Sequence, residues 1–535
     1  MWFRSKGVLA VAVAGLLLAA CAPSAAPTGD KAAIETEKAA PGAPTGAQGA
    51  PKRGGTYVNT ATGSYAGTDP AMGQMSYNVW PFVGLMMLKV EPETWKVVVE
   101  GVESWEFTPD GKELTLHVRK GMKFPNVPPT SGREVEAKDV VYTLKGITGQ
   151  LYPDLPPVRF PRKANLEEMV DAVAVDKYTV KVTLSKASAT FVPGLTDYRG
   201  GYILPEGIRE SFGDIQSLVA PSVDKYVSAG PFRLTKFVQV TEATYERNPD
   251  YWKKGQPYLD KIRTIWIPDR STLNAAFIAG QIDSRATLSD EERSFILRSR
   301  KDARVLTYAP GSTWYRLAFN TTRKPFDDVR VRKAISLLID SKQIGDAMVG
   351  SWEGKPLWKY PGPLPWVFPE AIPQEELSAM QVLKGPTPEN VAEAKRLLKE
   401  AGYEKGFETQ IMTPTSGSIS YVDGAQIMQE QIRKHLPEIK ITLSPVDNSI
   451  NYSRYSNPKM DQLLDQAAGE LNDQKRNELL KQAQLLALED LPYRPVVHRQ
   501  GQQISQPWVH GERLGAATSP NVWFEEIWLD PMPKR

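Results

Sequence analysis

The sequence predicts a mixed α/β protein, α+β in the order of its elements, with two or more lobes. Its 535 residues exceed the length that one hydrophobic core usually supports. Leu114, Leu116 and Val118 alternate with polar residues after the turn residues at 109–111, which predicts a strand that follows a hairpin. Helical apolar spacing occurs elsewhere, and the composition, 41% hydrophobic and 24% charged, is that of a globular protein.

Capping residues mark where helices begin and end. Thr387 and Pro388 suit the N-cap and first position of a helix, and Gly402 suits its C-terminal end. Asp327 is predicted to cap another helix that begins near Asp328. The apolar residues that define further elements are Val180, Val182 and Leu184 in a strand, and Met460, Leu463, Leu464 and Ala467 on a helix face.

The first 20 residues are predicted to be a signal peptide. Arg4 and Lys6 precede an apolar run at 8–20, which at 13 residues is shorter than the roughly 20 needed to span a bilayer. The run ends in LAAC, which resembles the bacterial lipobox, so Cys21 is predicted to be lipidated and to anchor the mature chain. The alternative is an ordinary secretory signal beside a chance cysteine.

Residues 21–53 are predicted to form the lipidated cysteine and a flexible tether. The stretch 22–51 is rich in Ala, Pro and Gly and has too little apolar surface to offset the entropy cost of ordering. Loss of Arg4 and Lys6 with the signal takes the formal net charge from +3 to +1. That charge argues against nucleic acid as a partner, and no later stretch is apolar and long enough to cross a membrane.

Residue types argue against an enzyme. Cys21 is the chain's one cysteine, which excludes disulfides and a cysteine nucleophile in the mature protein. The four histidines have no metal-binding spacing, and no phosphate-binding loop, dinucleotide motif or nucleophile elbow occurs. We expect no catalytic residue, metal or cofactor. A hydrolase with a Ser/His/Asp triad built from distant positions is the alternative with least support.

A series of short motifs runs along the chain. They are GGTY at 54–57, TDP at 68–70, ESWEF at 103–107, DG at 110–111, RKGMKF at 119–124, AKDVVY at 137–142, GPF at 230–232, RNPDYW at 247–252, YLDKI at 258–262, FN at 319–320, PFDDVRVRKAI at 325–335 and YSNPKMDQLL at 455–464. In this order, they resemble the family 5 extracellular solute-binding proteins, the dipeptide, oligopeptide and nickel-type receptors of ABC importers.

The resemblance implies a periplasmic-binding-protein type II fold, with two lobes around a ligand cleft and an additional subdomain. Lobe I is expected at 54–78, 190–308 and 495–535, the subdomain at 79–189 and lobe II at 309–494. Two segments near 310–319 and 495–500 should cross between the lobes. The implied function is a monomeric extracytoplasmic lipoprotein that closes around a small solute, most simply a peptide, and delivers it to ABC permease subunits. The alternative is a surface lipoprotein of the same fold with a sensory or scaffold role.

The same resemblance places candidate ligand contacts on one loop and both crossings. Aromatic side chains near loops suit ligand pockets, although packing in the core is the competing interpretation of each. The predicted ligand-binding residues are Gln74, Met75 and Tyr77, Thr313, Trp314 and Tyr315, Trp358 and Tyr360, and His498.

One segment departs from the family. About 40 residues, including the aspartate that peptide receptors pair with a peptide's amino group, are replaced here by 447–452. A buried ammonium needs a counter-charge, so either another carboxylate such as Asp447 substitutes or the solute is not a free peptide. A wider cleft and an incomplete second lobe with an exposed sheet edge are the other interpretations.

Overall fold

The computed structural model of the protein describes residues 49–61, 69–71, 79–92, 94–155, 160, 162–197, 200–212, 223–287, 290–308, 314–364, 370–414, 421–446, 453–514 and 523–533. Within these ranges helices and strands are mixed along the whole chain, as the sequence predicts. The predicted signal peptide, Cys21 and most of the predicted tether lie outside the described residues, as does the segment 447–452.

Most strands are short and are followed by a turn or a helix. In chain order they are β1 Thr56–Ala61, β2 Leu88–Val90, β3 Val97–Val99, β4 Val102–Phe107, β5 Glu113–Val118, β6 Met169–Ala174, β7 Thr179–Leu184, β8 Phe232–Val238, β9 Glu242–Arg247, β10 Lys261–Trp266, β11 Ser284–Thr287, β12 Arg304–Tyr308, β13 Trp314–Ala318, β14 Ser351–Trp352, β15 Lys355–Pro356, β16 Trp358–Lys359, β17 Glu408–Pro414, β18 Lys440–Val446, β19 Tyr493–Arg499, β20 Gly501–Ser505, β21 Val509–His510 and β22 Trp528–Leu529.

The longer helices concentrate in the C-terminal half. The α-helices of the described residues are α1 Trp80–Val83, α2 Ala137–Thr148, α3 Phe191–Gly194, α4 Arg270–Ile278, α5 Asp290–Ser299, α6 Val329–Leu337, α7 Ser341–Met348, α8 Gln374–Ala379, α9 Pro388–Glu400, α10 Tyr421–His435, α11 Pro458–Gly469 and α12 Asp473–Asp490.

Two sheets combine distant parts of the chain. One has the order β1-β10-β9-β8, with β1 parallel to β10. The other has the order β11-β20-β12, in which β20, from near the C-terminus, pairs antiparallel with both neighbours. Phe277, Ile282 and Ile504 are buried beside the second sheet and pack together with Val58 of β1, so one apolar cluster joins the two sheets.

A four-stranded antiparallel sheet, β4-β5-β7-β6, has its own core. The predicted alternation is confirmed, because Leu114, Leu116 and Val118 of β5 are buried and the residues between them are less so. Val180 and Val182 of β7 pair with β5 on the same buried face. Helix α2 packs on β6 and β7 and closes this core.

Further sheets lie between residues 314 and 499, and the pairs β2-β3 and β21-β22 lie outside that range. Strands β13, β19 and β16 form one, and the parallel pair β17 and β18 forms another among the described residues. Helices α6, α9 and α10 share an apolar core with Phe319 and Ile439. Helix α11 then begins at Pro458, and its buried Met460, Leu463 and Ala467 confirm the predicted apolar face.

The predicted helix caps are confirmed at one helix and shifted at another. Thr387 caps α9, accepting a hydrogen bond at 3.2 Å from the Asn390 amide, and Gly402 follows the helix with a positive φ of 82°. The cap of α6 is Asp328, not Asp327, because the Asp328 carboxylate accepts from the Arg330 amide at 2.8 Å. Asp327 and Asp328 both precede the apolar face of α6, so the spacing of apolar residues does not show which of them caps the helix.

A buried ionic network ties three distant segments together. The Lys89 ammonium lies 2.8 Å from the Glu525 carboxylate and 3.5 Å from Glu100. The Lys253 ammonium lies 2.9 Å from Glu100 and 3.0 Å from Glu525, so two cations alternate with two anions. Burial acts to raise the pKa of Glu525, but Lys89 and Lys253 outweigh it and lower that pKa to about 2. The network therefore stabilises the fold while Glu525 is ionised.

Glu525→Gln should destabilise the protein at pH 7 by about 3–5 kcal/mol, because it leaves two buried ammonium groups with one carboxylate. Glu393→Gln, which breaks an exposed pair with Arg396 on α9, is the matched control and should cost less than about 1 kcal/mol. Urea unfolding gives both values. Equal losses in the two variants would contradict a stabilising role for the network.

The same variant also tests pH dependence. The folded-state pKa of Glu525 is lowered, so its contribution is present above the ordinary value of 4.5 and is lost as pH falls toward about 2. The difference in stability between wild type and Glu525→Gln should therefore shrink across that interval.

Candidate ligand-binding site

Two strands pass side by side from one sheet into another. Strand β12 ends at Tyr308 in the β11-β20-β12 sheet, and β13 begins at Trp314 in the β13-β19-β16 sheet. Strand β19 ends at Arg499, and β20 begins two residues later at Gly501. Because β12 pairs with β20 and β13 with β19, both crossings are antiparallel neighbours on either side of the junction. These strands lie at the segments near 310–319 and 495–500, where the family resemblance implies crossings between the lobes.

A close contact marks the first sheet's side of the junction. Gly501 pairs in register with Tyr308, and a Cβ at Gly501 would lie 2.2 Å from Tyr308 Cζ. A side chain at position 501 would therefore displace the tyrosine ring. Glycine at this position allows Tyr308 to lie against the strand at the crossing.

Helix α5 reaches across this junction through Arg293. Its guanidinium donates to the Gln502 side-chain oxygen on β20, and its Nη2 donates to the Ser351 carbonyl on β14 at 2.8 Å. The guanidinium also lies 4.8 Å from the centre of the Trp352 ring. Arg293 is buried, and its burial lowers its pKa, as does the charge of Arg499. One arginine thus contacts elements from both sides of the crossing.

Three further charged residues form an arginine–glutamate cluster beside it. Glu292 on α5 accepts hydrogen bonds from Arg270 and from Arg285. Arg285 also donates to the Asn274 side-chain oxygen, and burial lowers its pKa although Glu292 acts in the opposite direction. Glu292 and Arg285 are buried, whereas Arg270 is exposed.

Arg499 is a further charged residue at the junction. It is the last residue of β19 and is partly buried. Burial lowers its pKa; Tyr308 and Glu292 act to raise that pKa, and Arg270 acts to lower it further. Tyr308 of β12, Arg270 of α4 and Glu292 of α5 are therefore near enough to influence the pKa of Arg499. We name Arg270, Arg285, Arg293 and Arg499 with Glu292 the crossing cluster.

Aromatic residues line the second sheet's side of the junction. The Tyr315 hydroxyl donates to the Tyr421 carbonyl, and the two rings stack with centres 5.6 Å apart. Gly424 lies so close that a Cβ there would be 2.6 Å from the Tyr315 hydroxyl oxygen. Tyr421 begins α10, so the first turn of this helix is held against β13.

His498 lies in the protein interior. It is 1% exposed, and its Nε2 is 3.0 Å from the Gly362 carbonyl. Burial lowers the pKa of His498 to about 4, while the bond to Gly362 acts to raise it. Alternate strand residues point to opposite sides, so Arg499 is on the side away from His498, as the sequence predicts. The contacts of His498 are those of an interior residue, and its ligand role remains a prediction.

The two predicted aromatic candidates after β15 also make internal contacts. Trp358 is buried, donates through its indole nitrogen to Asp346 at 2.9 Å, and packs on Gly345 of α7. Tyr360 is half-buried and meets Trp358 edge to face with ring centres 5.6 Å apart. These contacts match the packing interpretation that competes with a ligand role for each ring.

The other candidates are only partly described. Gln74, Met75, Tyr77 and Thr313 lie outside the described residues, as does the side chain of Trp314, whose backbone pairs with His498. Asp69, just before the predicted ligand loop, is buried, and its carboxylate lies 2.6 Å from the Arg209 guanidinium. The start of that loop is therefore held by an internal ion pair.

Sequence reasoning missed Arg293, Arg285 and Tyr308. Each lies in a short element whose local pattern does not differ from that of a solvated surface, and the partners of Arg293 are about 58 and 209 residues away in sequence. The sequence signal that could have located these residues was Arg499, which follows His498 on the predicted second crossing.

No group of three or more His, Cys, Asp or Glu side chains among the described residues has the geometry of a metal site. Among the same residues, no helix combines the length and apolarity that crossing a bilayer requires.

Two sheets joined by a pair of antiparallel crossings, with charged and aromatic side chains gathered at the junction, define the class of two-lobed solute-binding proteins. A family profile described as bacterial extracellular solute-binding proteins, family 5 Middle, matches residues 96–476. The chain belongs to this family. The expected type II fold is confirmed by similarity to solved structures of the family.

Relatives cover nearly the whole chain. Heme-binding protein A of Haemophilus influenzae is 27% identical over 582 aligned positions, covering 95% of this chain and 96% of the relative. A dipeptide-binding protein of Pseudomonas aeruginosa is 26% identical, covering 77% and 83%. The structure of the ABC transporter-associated periplasmic binding protein DppA from Helicobacter pylori, in complex with the peptide STSA, superposes with a TM-score of 0.73 at 21% identity, covering 90% and 99%.

The burial of His498 predicts a pH effect on stability. Its folded-state pKa is lowered from 6.5 to about 4, so its neutral form stabilises the fold above pH 6.5 and this contribution is lost as pH falls toward 4. Between pH 7 and pH 4.5 the wild type should lose on the order of 2 kcal/mol through this group, and His498→Gln should lose less. Urea unfolding at both pH values measures this. If wild type and His498→Gln had the same pH dependence of stability, the lowered folded-state pKa of His498 would be contradicted.

Proposed function

We propose that this chain is an extracytoplasmic lipoprotein that captures a small solute by closure of its two lobes and presents it to an ABC importer. The observation that carries the proposal is the pair of crossings, β12 to β13 and β19 to β20, which adjoin charged and aromatic side chains. A solute that contacts both sides of such a junction favours the closed arrangement through its additional contacts. The importer, not this chain, then supplies the energy for transport.

A peptide or another small polar solute is the proposed cargo. The relatives of this chain include a dipeptide-binding protein and a heme-binding protein, so the family accommodates chemically different solutes. This chain has only residues 447–452 where family members carry the aspartate that pairs with a peptide's amino group. A free peptide therefore needs a counter-charge from another part of this site.

Lipidation of Cys21 is the proposed means of attachment. The acyl chains would hold the protein at the membrane, with each buried CH₂ contributing about 0.8 kcal/mol, and the segment 22–53 would separate the folded part from the surface. Attachment near the permease raises the local concentration of loaded receptor. ABC permease subunits are the proposed protein partners of the closed form, and the receptor is proposed to act as a monomer.

Binding of the solute should both increase the stability of the protein and make the protein more compact. A solute at a hundredfold excess over its Kd should add about 2.7 kcal/mol to the free energy of unfolding. The same solute should reduce the radius of gyration in small-angle X-ray scattering, because closure brings the lobes together. A screen of peptides, sugars and organic acids by thermal melting, followed by scattering on each binder, tests both effects. Binding without compaction would contradict hinge closure, and no binding would contradict the receptor assignment.

Lipidation is tested by Cys21→Ala. Wild-type protein produced in a bacterial host should partition into the detergent phase of Triton X-114 and incorporate a clickable fatty acid, whereas Cys21→Ala should do neither because the acylated sulfur is removed. Ser24→Ala is the matched control and should behave as wild type. Detergent partitioning of Cys21→Ala would show that another feature anchors the chain.

Measurement of solute uptake distinguishes an importer receptor from a sensory or scaffold lipoprotein. A sensory or scaffold lipoprotein would bind its solute yet leave uptake unchanged when its gene is deleted. Uptake of a solute that the purified protein binds, measured in the deletion strain and after complementation, distinguishes the two roles.

A further inference from the structure

We infer that the turn between β4 and β5, together with the segment 186–189, forms a latch with the end of α11 and the segment that joins it to α12. The latch closes when the two lobes come together and separates when they part, so it contributes to solute affinity without contacting the solute. This inference rests on the proposed function and goes beyond it. The latch residues are Gly111, Lys186, Ala187 and Ala189 on one side and Asp465, Ala468, Gly469 and Leu471 on the other.

The two sides of the latch lie in different parts of the chain. Positions 111 and 186–189 precede the first crossing, from β12 to β13, whereas positions 465–471 lie between the first and the second crossing. The chain passes from one part to the other only along these crossings. A contact between the two parts is therefore a separate, non-covalent connection of the kind that a hinge motion breaks and re-forms.

Each side of the latch also has its own core. The β4-β5-β7-β6 sheet packs around a cluster that includes Leu114 and Val182, and α11 and α12 pack around Met460 and Leu463. Among the described residues, neither cluster contains a member from the other side of the latch. The two sides can therefore separate without exposing either core.

Backbone atoms make a direct contact across the latch. The Ala189 amide donates a hydrogen bond to the Ala468 carbonyl at 2.8 Å. Next to it, a Cβ at Gly469 would lie 3.6 Å from the Ala187 carbonyl oxygen. These four residues are half-buried, and their small side chains allow the two backbones to approach. One hydrogen bond between two surface segments has a small net contribution, so it can break in a reversible motion.

Side chains add an apolar contact and an ionic contact. A Cβ at Gly111 would lie 3.0 Å from Leu471 Cδ1, so this leucine covers the turn after β4. The Lys186 ammonium lies 4.0 Å from the Asp465 carboxylate, and both groups are exposed. Exposed ion pairs contribute little and are screened by salt. The latch is therefore a weak contact, as a connection that opens and closes requires.

A second apolar contact joins the same two parts of the chain. Val90 at the end of β2 and Trp95 before β3 are buried, and Leu364 and Ala371 pack against them. The first two residues precede the first crossing, and the other two lie between the crossings. The two parts of the chain thus touch at two places through their own side chains. Part of the stability of this arrangement comes from the protein and not from a solute.

The latch links lobe closure to affinity. The apparent Kd of a solute rises as the fraction of protein in its binding-competent state falls. Contacts within the latch increase the closed fraction for every solute alike, because they do not involve the solute. A weakened latch should therefore raise the Kd of every solute by the same factor.

The first test needs no solute. The mature chain from position 21 carries Cys21→Ala, which removes its one cysteine, and a disulfide is then introduced with Ala189→Cys and Ala468→Cys. Small-angle X-ray scattering measures the radius of gyration of the oxidised and reduced forms. The oxidised form should be more compact, because the disulfide keeps the latch closed whereas the reduced form can open.

Side-chain variants test the same contact without a cross-link. Leu471→Ala and Asp465→Lys should increase the radius of gyration of the protein without solute, because the first removes the apolar contact and the second brings two ammonium groups together. Addition of Lys186→Glu to Asp465→Lys should restore the wild-type value by reversing the ion pair. Leu479→Ala is the matched control, since Leu479 is also half-buried but packs in the core of α11 and α12. It should leave the radius of gyration unchanged.

The second test measures binding by calorimetry. Dialanine, trialanine and hemin are the probes, because relatives of this chain include dipeptide-binding and heme-binding proteins, and binders from the melting screen are added to them. Leu471→Ala should raise the Kd of each bound probe by a common factor of about threefold to tenfold. Leu479→Ala should leave these Kd values unchanged. Factors that differ from one solute to another would show that Leu471 contacts the solute and would overturn the latch.

The outcomes separate the latch from the receptor function. Equal radii of gyration for the oxidised and reduced forms, with no change in Leu471→Ala or Asp465→Lys, would show that the contact is a permanent part of the fold and would overturn the latch. The receptor function would then still stand on solute binding. Failure of every solute to bind would overturn the receptor function, and the scattering measurements would still decide whether the contact opens.

Discussion

The antiparallel pairing of two strands on both sides of a junction is the constraint on which the rest of the structure depends. Backbone hydrogen bonds between β12 and β20 and between β13 and β19 hold the crossings in register. Two adjacent crossings restrict relative motion of the sheets far more than one linker would, because bending must preserve both ladders. A pair of adjacent crossings is the kind of hinge that the proposed closure would use.

Buried charge is used in two ways in this protein. The Lys89 and Lys253 ammonium groups alternate with the Glu100 and Glu525 carboxylates and join the segment after β1 to the C-terminal segment. At the junction, Glu292 of α5 pairs with Arg285 of β11 and Arg270 of α4, and its charge also acts on Arg499 at the end of β19. Removing charges from water has a cost in both places. In the first the cost is offset by two carboxylates, and at the junction Glu292 offsets part of it through its ion pairs with Arg270 and Arg285.

Local sequence patterns predicted many of the elements that surround the site. The strand of Leu114, Leu116 and Val118 and the helix from Thr387 to Gly402 follow from residue spacing and backbone preference, which act over a few residues. The cap of α6 was predicted one residue too early, since Asp327 and Asp328 offer the same side chain and only the folded backbone selects between them. The crossings were predicted through the family resemblance and are paired in the structure.

Tertiary structure alone decided which residues contact each side of β19. Alternation predicts that His498 and Arg499 point in opposite directions, but both sides of the strand are buried and alternation does not say what packs on either. The Gly362 carbonyl lies beside His498, whereas Tyr308, Arg270 and Glu292 surround Arg499. These partners come from segments far apart in the chain, so no local rule could assemble them.

The sequence by itself determined the family and the mixed α/β class, because these depend on short motifs in order and on local periodicity. Only the folded chain brings the arginines of β11 and α5 near the end of β19, because β20, which follows β19, pairs between β11 and β12. Burial and mutual proximity, which set the electrostatic character of those arginines, are properties of packing and have no counterpart in the linear order of residues.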